Sequence, residues 1–192
     1  MNTLKTCMVS ALLVTAMIGG QRASAADAAA PGTAEAAAEP AHWQKVPVDF
    51  SYSGFTTMYS CYGIEDKVKA LLIALGARAD ARINASGCET GPHMHVSKFA
   101  FVRGEFHVLV PGPGAAGEDT VQALWQAVAI SPNRPFSMGE GDCELVEQMK
   151  PMVEKAFALR EASYRTSCVP NTLSMNGYSL KANVLRLPKQ KS

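Results

Sequence analysis

The sequence predicts an α+β fold made of a tandem duplication of two β-α-β-β-β modules, with antiparallel or mixed sheets and one disulfide in each module. Three observations predict it. A tryptophan segment and a cysteine both recur at one common spacing, strand-like and helix-like apolar periods alternate, and four cysteines follow a predicted export signal. The predicted first module covers residues 42–111 and the second covers 121–188. A Gly/Pro-rich linker, 112–120, separates them.

Residues 1–25 have the features of an export signal. Lys5 precedes an apolar run over residues 8–18, and Ala23-Ser24-Ala25 has the small-x-small pattern that signal peptidase cleaves. This run is shorter than the ~20 residues that cross a bilayer as a helix. We therefore expect cleavage after Ala25, and a periplasmic or secreted protein that is not integral to the membrane.

The predicted mature chain has nearly balanced charge. Without Lys5 and Arg22, 16 basic residues remain of 18, against 17 acidic ones. This balance gives no electrostatic reason to bind nucleic acid. Residues 26–41 contain nine alanines and two prolines in sixteen positions, which predicts a disordered linker, and residues 189–192 form a basic tail.

An internal repeat organises the rest of the chain. Trp43 recurs as Trp125, and Cys61 recurs as Cys143 at the same spacing. Cys88 recurs as Cys168 at a slightly shorter spacing, and the turn pair Arg103-Gly104 recurs as Asn176-Gly177 at a spacing that is shorter still. The second copy is therefore shorter than the first.

Each module is predicted to contain one amphipathic helix. In the first module the helical stripe predicts a helix over 64–75, ended by Gly76; its residues are Ile64, Val68, Leu71, Leu72 and Leu75. In the second module the stripe is Leu145, Met149, Met152, Val153 and Ala156. Asp142 can cap this second helix. Pro151 lies inside it and predicts a kink or a late start.

Strands are predicted before and after each helix. Residues 46–52 alternate before the first helix, and residues 81–88 and 161–168 follow the two helices. Hairpins are then predicted at Arg103-Gly104 and Asn176-Gly177. The first hairpin would collect on one face Phe99, Phe101, Phe106, Val108 and Val110. The second would collect Leu173, Met175, Tyr178, Leu180, Ala182 and Val184.

The four remaining cysteines favour two disulfides in an exported protein. In a crossover between parallel strands, the helix starts at the sheet edge where the next strand ends. This geometry pairs Cys61 with Cys88 and Cys143 with Cys168. Because neither Cys-x-x-Cys nor a zinc-type cysteine cluster occurs, a redox pair or a metal site is the weaker interpretation.

His93-Met94-His95 is a candidate metal site. On a strand, His93 and His95 would point to one face, and imidazole and thioether groups together suit copper or zinc. Two ligands are too few for a firm site unless Glu89 or a second molecule completes the shell. A periplasmic copper- or zinc-binding protein is therefore the alternative to a protein without a cofactor.

The chain lacks the common catalytic motifs. No nucleophile elbow, phosphate-binding loop, His-Glu-x-x-His or Ser-x-x-Lys pattern occurs. The Gly-x-Gly-x-x-Gly pattern at 112–117 falls where a linker between modules is needed, so it does not predict a dinucleotide site. A hydrolase-type enzyme would need a cleft between the modules lined by acid and base groups.

The favoured function is a non-catalytic binding or envelope-structural protein of unknown ligand. Aromatic residues near the end of the first strand are a possible binding surface for an envelope protein, a peptide or a glycan. These residues are Tyr52, Phe55, Tyr59 and Tyr62.

Overall fold

The computed structural model describes residues 37–90, 95–115, 119–169 and 177–188. They belong to one compact unit, Glu35–Ser192. The predicted export signal, most of the predicted N-terminal linker and the basic tail lie outside the described residues. Neither helix in these described ranges has the length and apolar composition that spanning a bilayer requires.

The fold is a mostly antiparallel sheet with two helices, which confirms the α+β class. In chain order the elements are β1 (Glu39–Ser53), α1 (Cys61–Ala74), β2 (Arg82–Ser86), β3 (Glu89–Thr90), β4 (His95–Val96), β5 (Phe99–Pro111), β6 (Thr120–Ile130), a 3₁₀ turn (Glu140–Asp142), α2 (Cys143–Ala156), β7 (Leu159–Thr166) and β8 (Tyr178–Arg186). The short β3–β4 pair forms a separate two-stranded sheet.

The main sheet has the strand order β2-β5-β1-β6-β8-β7. Strand β1 pairs with β5 from Ala41 to Ser53, but it pairs with β6 only from Glu39 to His42. Beyond this overlap β6 pairs with β8 over residues 124–130. The sheet therefore consists of two three-stranded halves that are offset along the strands and share a four-residue joint.

Both helices cover one face of the sheet. Alternate β1 residues such as Val48 and Tyr52 are buried there. Their core partners include Val102 and Phe106 of β5, Ile64, Val68 and Leu71 of α1, and Leu145, Met149 and Val153 of α2. This single core confirms the apolar stripes predicted for both helices. The stripe of α2 continues past the exposed Pro151, which lies inside the helix without ending it.

The other face of the sheet carries a small apolar cluster at the joint. Its buried members are Ala41, Leu109, Ala123 and Leu185, and Trp43 and Trp125 pack against them. Trp43 lies under the Arg78 guanidinium, 5.5 Å from it, and Trp125 lies under that of Arg160, 3.8 Å away. Glu39 joins the second stack by accepting a 2.8 Å hydrogen bond from the Trp125 indole.

The predicted hairpin at Arg103-Gly104 is wrong. Strand β5 runs straight through these residues, and Gly104 pairs with Val48 on one side and Ile83 on the other. A Cβ atom at Gly104 would collide with the backbone oxygen of Arg82. The glycine thus permits a close approach of two strands instead of a turn.

The structure divides the first predicted apolar face and buries the described part of the second. Because β5 does not fold back, Phe99 and Phe101 lie on the face without helices and are 58% and 52% exposed. In β8 the described members of the predicted face are all buried, namely Tyr178, Leu180, Ala182 and Val184. Asn176, Leu173 and Met175, which belong to the second predicted hairpin, lie outside the described residues.

Pairing also changes the predicted boundaries of the linkers. Strand β1 begins at Glu39, so residues 39–41 of the predicted N-terminal linker are strand residues held by β6. Strand β6 begins at Thr120, the last residue of the linker predicted between the modules.

Two disulfides join Cys61 to Cys88 and Cys143 to Cys168, with Cα atoms 5.1 and 5.9 Å apart. The pairs are those that the crossover geometry predicts. Strands β1 and β2 are both antiparallel to β5 and therefore parallel to each other, as that prediction assumed. Two disulfides are typical of an oxidising, extracellular compartment.

Candidate functional site

In β1, the backbone N–H and C=O groups of every second residue point away from β5, toward the other edge of the strand. In an antiparallel strand the N–H and C=O of one residue point to the same side, and those of the next residue point to the other. The N–H and C=O of Ser53 both bind the side-chain amide of Gln148 in α2, at 2.8 and 3.0 Å. Conversely, the C=O of Pro40 accepts from Gly112, which directly follows β5. Even-numbered residues therefore face β5, and odd-numbered residues face the opposite edge.

Four residues of β1 leave this edge open. The register between β1 and β5 is continuous from Ala41 to Ser53, so Lys45, Pro47, Asp49 and Ser51 share the orientation of Ser53. Strand β6 covers the edge only as far as His42. The backbone groups that these four residues turn to this edge have no hydrogen-bond partner in the part of the chain that the structure describes. At about 3.3 Å per residue, this open edge is about 20 Å long.

A groove of about 610 Å³ separates the open edge from α2. Its apolar wall consists of Val46, Phe50, Pro151, Met152 and Ala156, and its polar rim includes Lys45, Asp49 and Lys155. The volume lies within the range of about 300–1,000 Å³ that is usual for ligand sites. The groove therefore has room for a ligand beside unpaired backbone groups.

At one end of the groove, side chains of α2 bind backbone groups that a neighbouring strand would otherwise pair. The amide of Gln148 contacts Ser53 as a neighbouring peptide group would, and Glu144 accepts hydrogen bonds from the backbone N–H groups of Phe55 and Thr56, at 2.9 and 3.1 Å. A second cavity of about 460 Å³ lies beyond these contacts. Its lining residues are Ser53, Phe55, Glu144, Glu147, Gln148 and Cys168.

A buried carboxylate holds the start of α2 against the first half of the molecule. Asp142 is 2% exposed and accepts hydrogen bonds from the Tyr59 hydroxyl (2.5 Å), the Lys67 ammonium (2.6 Å) and the backbone of Gly139 (2.6 Å). Lys67 belongs to α1 and also donates to the backbone of Ser137. Burial, and then the charge of Asp142, raise the pKa of Tyr59 far above its usual range. The network thereby fixes the position of the helix that forms the wall of the groove.

The predicted aromatic surface is wrong for two of its four members. Tyr52 and Tyr59 are buried, with their ring centroids 5.2 Å apart. Strand alternation turns Tyr52 toward the helices, where its hydroxyl donates to Thr57, and Tyr59 is held by Asp142. Phe55 and Tyr62 are exposed, by 55% and 73%, and Phe55 lines the second cavity. Their role in binding stays a prediction.

The predicted copper or zinc site is only partly within the described residues. His93 and Met94 lie outside them, while His95 is exposed at the start of β4 and pairs with Thr90 of β3. Among the described residues, no group of three or more His, Cys, Asp or Glu side chains could hold a metal ion. The metal-binding alternative therefore stays a prediction.

A groove does exist between the two predicted modules, as the hydrolase alternative requires. One wall comes from β1 and the other from α2. Its described lining contains lysine, aspartate and glutamine side chains, but no serine, cysteine or histidine. Carboxylate and amine groups such as those of Asp49 and Lys155 can serve in hydrolysis as well as in binding, so the hydrolase alternative stays a prediction.

Sequence reasoning missed the groove, although one residue carried a signal for it. Proline cannot donate to a strand ladder, so Pro47 inside a strand pattern marks an edge. The comparisons with known proteins supply no relative: no family model, no curated protein and no solved structure matches the chain. Function is therefore inferred from the open edge and the groove alone.

Proposed function

We propose that the protein is an exported, non-catalytic binding protein that takes up an extended polypeptide segment along the open edge of β1. The observation that carries this proposal is the row of unpaired backbone groups from Lys45 to Ser51 beside a groove of about 610 Å³. An added strand would satisfy these groups and lie in line with β6, which already pairs with the same edge at Glu39–His42. Because the edge presents a peptide ladder, it favours a polypeptide over a glycan.

Two other sheet edges are less suited to strand addition. On the outer edge of β2, the N–H of Ala85 already donates to Glu65 of α1, at 2.7 Å. The outer edge strand β7 has exposed charged residues, including Glu161 and Arg165, and charged side chains on an edge strand discourage pairing with a second chain. The edge of β1 combines unpaired backbone with an adjoining groove.

We further propose that the protein acts in the periplasm or outside the cell after cleavage following Ala25. The positive start, apolar run and small-residue site within residues 1–25 support export. The two disulfides agree with an oxidising compartment. The partner would then be an envelope or secreted polypeptide.

The tandem duplication also remains a proposal, and the strand order supports it. Each half has the order first strand, helix, second strand and last strand, and the sheet reads β2-β5-β1 followed by β6-β8-β7. Trp43 pairs with Leu109 as Trp125 pairs with Leu185, and the stacked arginines Arg78 and Arg160 have the same spacing as the two tryptophans. A single duplication would explain the shared strand order, the tryptophan pairing and the arginine spacing together.

The test uses the full chain produced by export, with both disulfides formed, to select binders from a phage-displayed library of random nine-residue peptides. Selected peptides are then measured against Ser51→Pro and its matched control Ser51→Ala. Proline removes the N–H that faces the open edge and places its ring there, whereas alanine removes only the exposed hydroxyl. We expect Ser51→Pro to weaken binding at least about tenfold, roughly 1.4 kcal/mol, and Ser51→Ala to leave it within about twofold.

A second pair, Lys45→Pro and Lys45→Ala, repeats the test at the other end of the open edge. It also decides the matter if Ser51→Pro does not fold. Peptides that bind both proline variants as tightly as their alanine controls would contradict strand addition at β1.

A further inference from the structure

We infer that the bound segment runs antiparallel to β1 and carries a basic residue opposite Asp49 and an acidic residue opposite Lys45, with apolar residues at the positions between. This inference rests on the proposed function and names the class of peptide that the same groove accepts. Read from the N terminus, the pattern is basic, apolar, any residue, apolar, acidic.

The direction follows from the strand that already occupies part of this edge. Strand β6 pairs with β1 in antiparallel register through Glu39–His42, and the added segment would continue along the same edge from the point where β6 begins. Antiparallel pairing is also slightly more stable per residue than parallel pairing. The segment would therefore meet Asp49 first and Lys45 four residues later.

The charges expected on the bound segment follow from the β1 side chains that lie on the sheet face without helices. Odd-numbered residues of β1 turn their side chains to this face, where Asp49 lies 3.7 Å from Arg103 and Lys45 lies 2.5 Å from Glu105. Residues directly opposite on neighbouring strands have Cβ atoms about 4.5–5.5 Å apart, so their charges interact. A basic residue opposite Asp49 would continue the pair Arg103–Asp49, and an acidic residue opposite Lys45 would continue the pair Glu105–Lys45. Charges would then alternate in sign across the neighbouring strands. Pro47, between them, places no charge demand on the segment.

The apolar positions follow from the groove itself. Residues of the added strand opposite Val46 and Val48 would turn toward the helices, because cross-strand neighbours share a face. On that side the lining comprises Val46 and Phe50 from β1 and Met152 and Ala156 from α2. Apolar side chains there would be removed from water, which stabilises the complex.

The experiment compares two labelled peptides of identical composition by fluorescence anisotropy at low salt. The first is Thr-Val-Lys-Val-Thr-Val-Glu-Val-Thr, and the second exchanges its lysine and glutamate. We expect the first to bind the full, oxidised chain about tenfold more tightly. In the double variant Lys45→Glu/Asp49→Lys, whose two original side chains are more than half exposed, we expect the preference to reverse.

The outcomes separate this inference from the proposed function. Equal affinity for the two peptides, with Ser51→Pro weakening both, would overturn the charge pattern but leave strand addition in place. Tighter binding of the second peptide would overturn the antiparallel direction. Binding that Ser51→Pro does not weaken for either peptide would overturn the proposed function itself.

Discussion

Replacement of Asp142 by alanine is expected to lower the free energy of unfolding by about 3–5 kcal/mol. The carboxylate is 2% exposed and accepts hydrogen bonds from Tyr59, Lys67 and Gly139. Its removal leaves three donors without their acceptor in a buried site, and the side chain of Lys67 is only 23% exposed. Urea unfolding of the oxidised protein, followed by circular dichroism, measures the loss.

The matched control is Glu154→Ala, which removes the carboxylate of an ion pair with Lys150 on the surface of α2, at 2.8 Å. Such a pair contributes only about 0.3–0.5 kcal/mol. Asp142→Asn should fall between the two, because an amide oxygen can still accept one of the hydrogen bonds. A loss for Asp142→Ala no larger than that for Glu154→Ala would show that the network does not hold α2 in place.

Removal of either disulfide, as Cys61→Ala/Cys88→Ala or Cys143→Ala/Cys168→Ala, is expected to cost about 3.5 kcal/mol. The bonds span 27 and 25 residues, so they restrict the unfolded chain by nearly the same amount. Urea unfolding with and without a thiol reductant measures each contribution. The double variants provide the control, because each has only one bond left to reduce.

Addition of the reductant should therefore destabilise the native chain more than either double variant. A native chain whose urea midpoint does not change on reduction would contradict the proposed contribution of both bonds.

Local patterns predicted the elements whose partners are close in sequence. The stripe from Ile64 to Leu75 gave α1, although the helix begins earlier, at Cys61, because the Ser60 hydroxyl accepts a hydrogen bond from Gly63. The disulfide pairing followed from a single crossover. In these cases the residues that the pattern joins are close in sequence, with Cys61 and Cys88 only 27 residues apart.

Features that depend on long-range pairing were missed. Gly104 has the sequence signature of a turn, but its role is to admit Arg82 of β2 at close range, which only the register of three strands reveals. Glu39 looks like part of a linker until β6, which is distant in the sequence, pairs with it. The open edge of β1 is the same kind of feature, because it exists only where β6 stops covering β1.

The site therefore differs from the one that composition suggested. Aromatic residues near the end of β1 attracted a binding hypothesis, yet Tyr52 and Tyr59 are buried. No sequence motif marks the groove beside Lys45 and Ser51, because its capacity to bind comes from unpaired backbone groups. Pro47 carried a sequence signal for that edge, because a proline within a strand pattern is typical of an edge strand.

Hydrogen exchange of individual backbone amides tests the open edge of β1 most directly. In the free protein, the amides of Lys45, Asp49 and Ser51 should exchange rapidly, while those of Val46, Val48 and Phe50, which face β5, should be protected. Saturation with the peptide Thr-Val-Lys-Val-Thr-Val-Glu-Val-Thr should slow exchange of the Lys45, Asp49 and Ser51 amides at least about tenfold. This factor corresponds to about 1.4 kcal/mol of added protection. If Lys45, Asp49 and Ser51 are already protected in the free protein, or are not slowed by bound peptide, the edge is not the binding site.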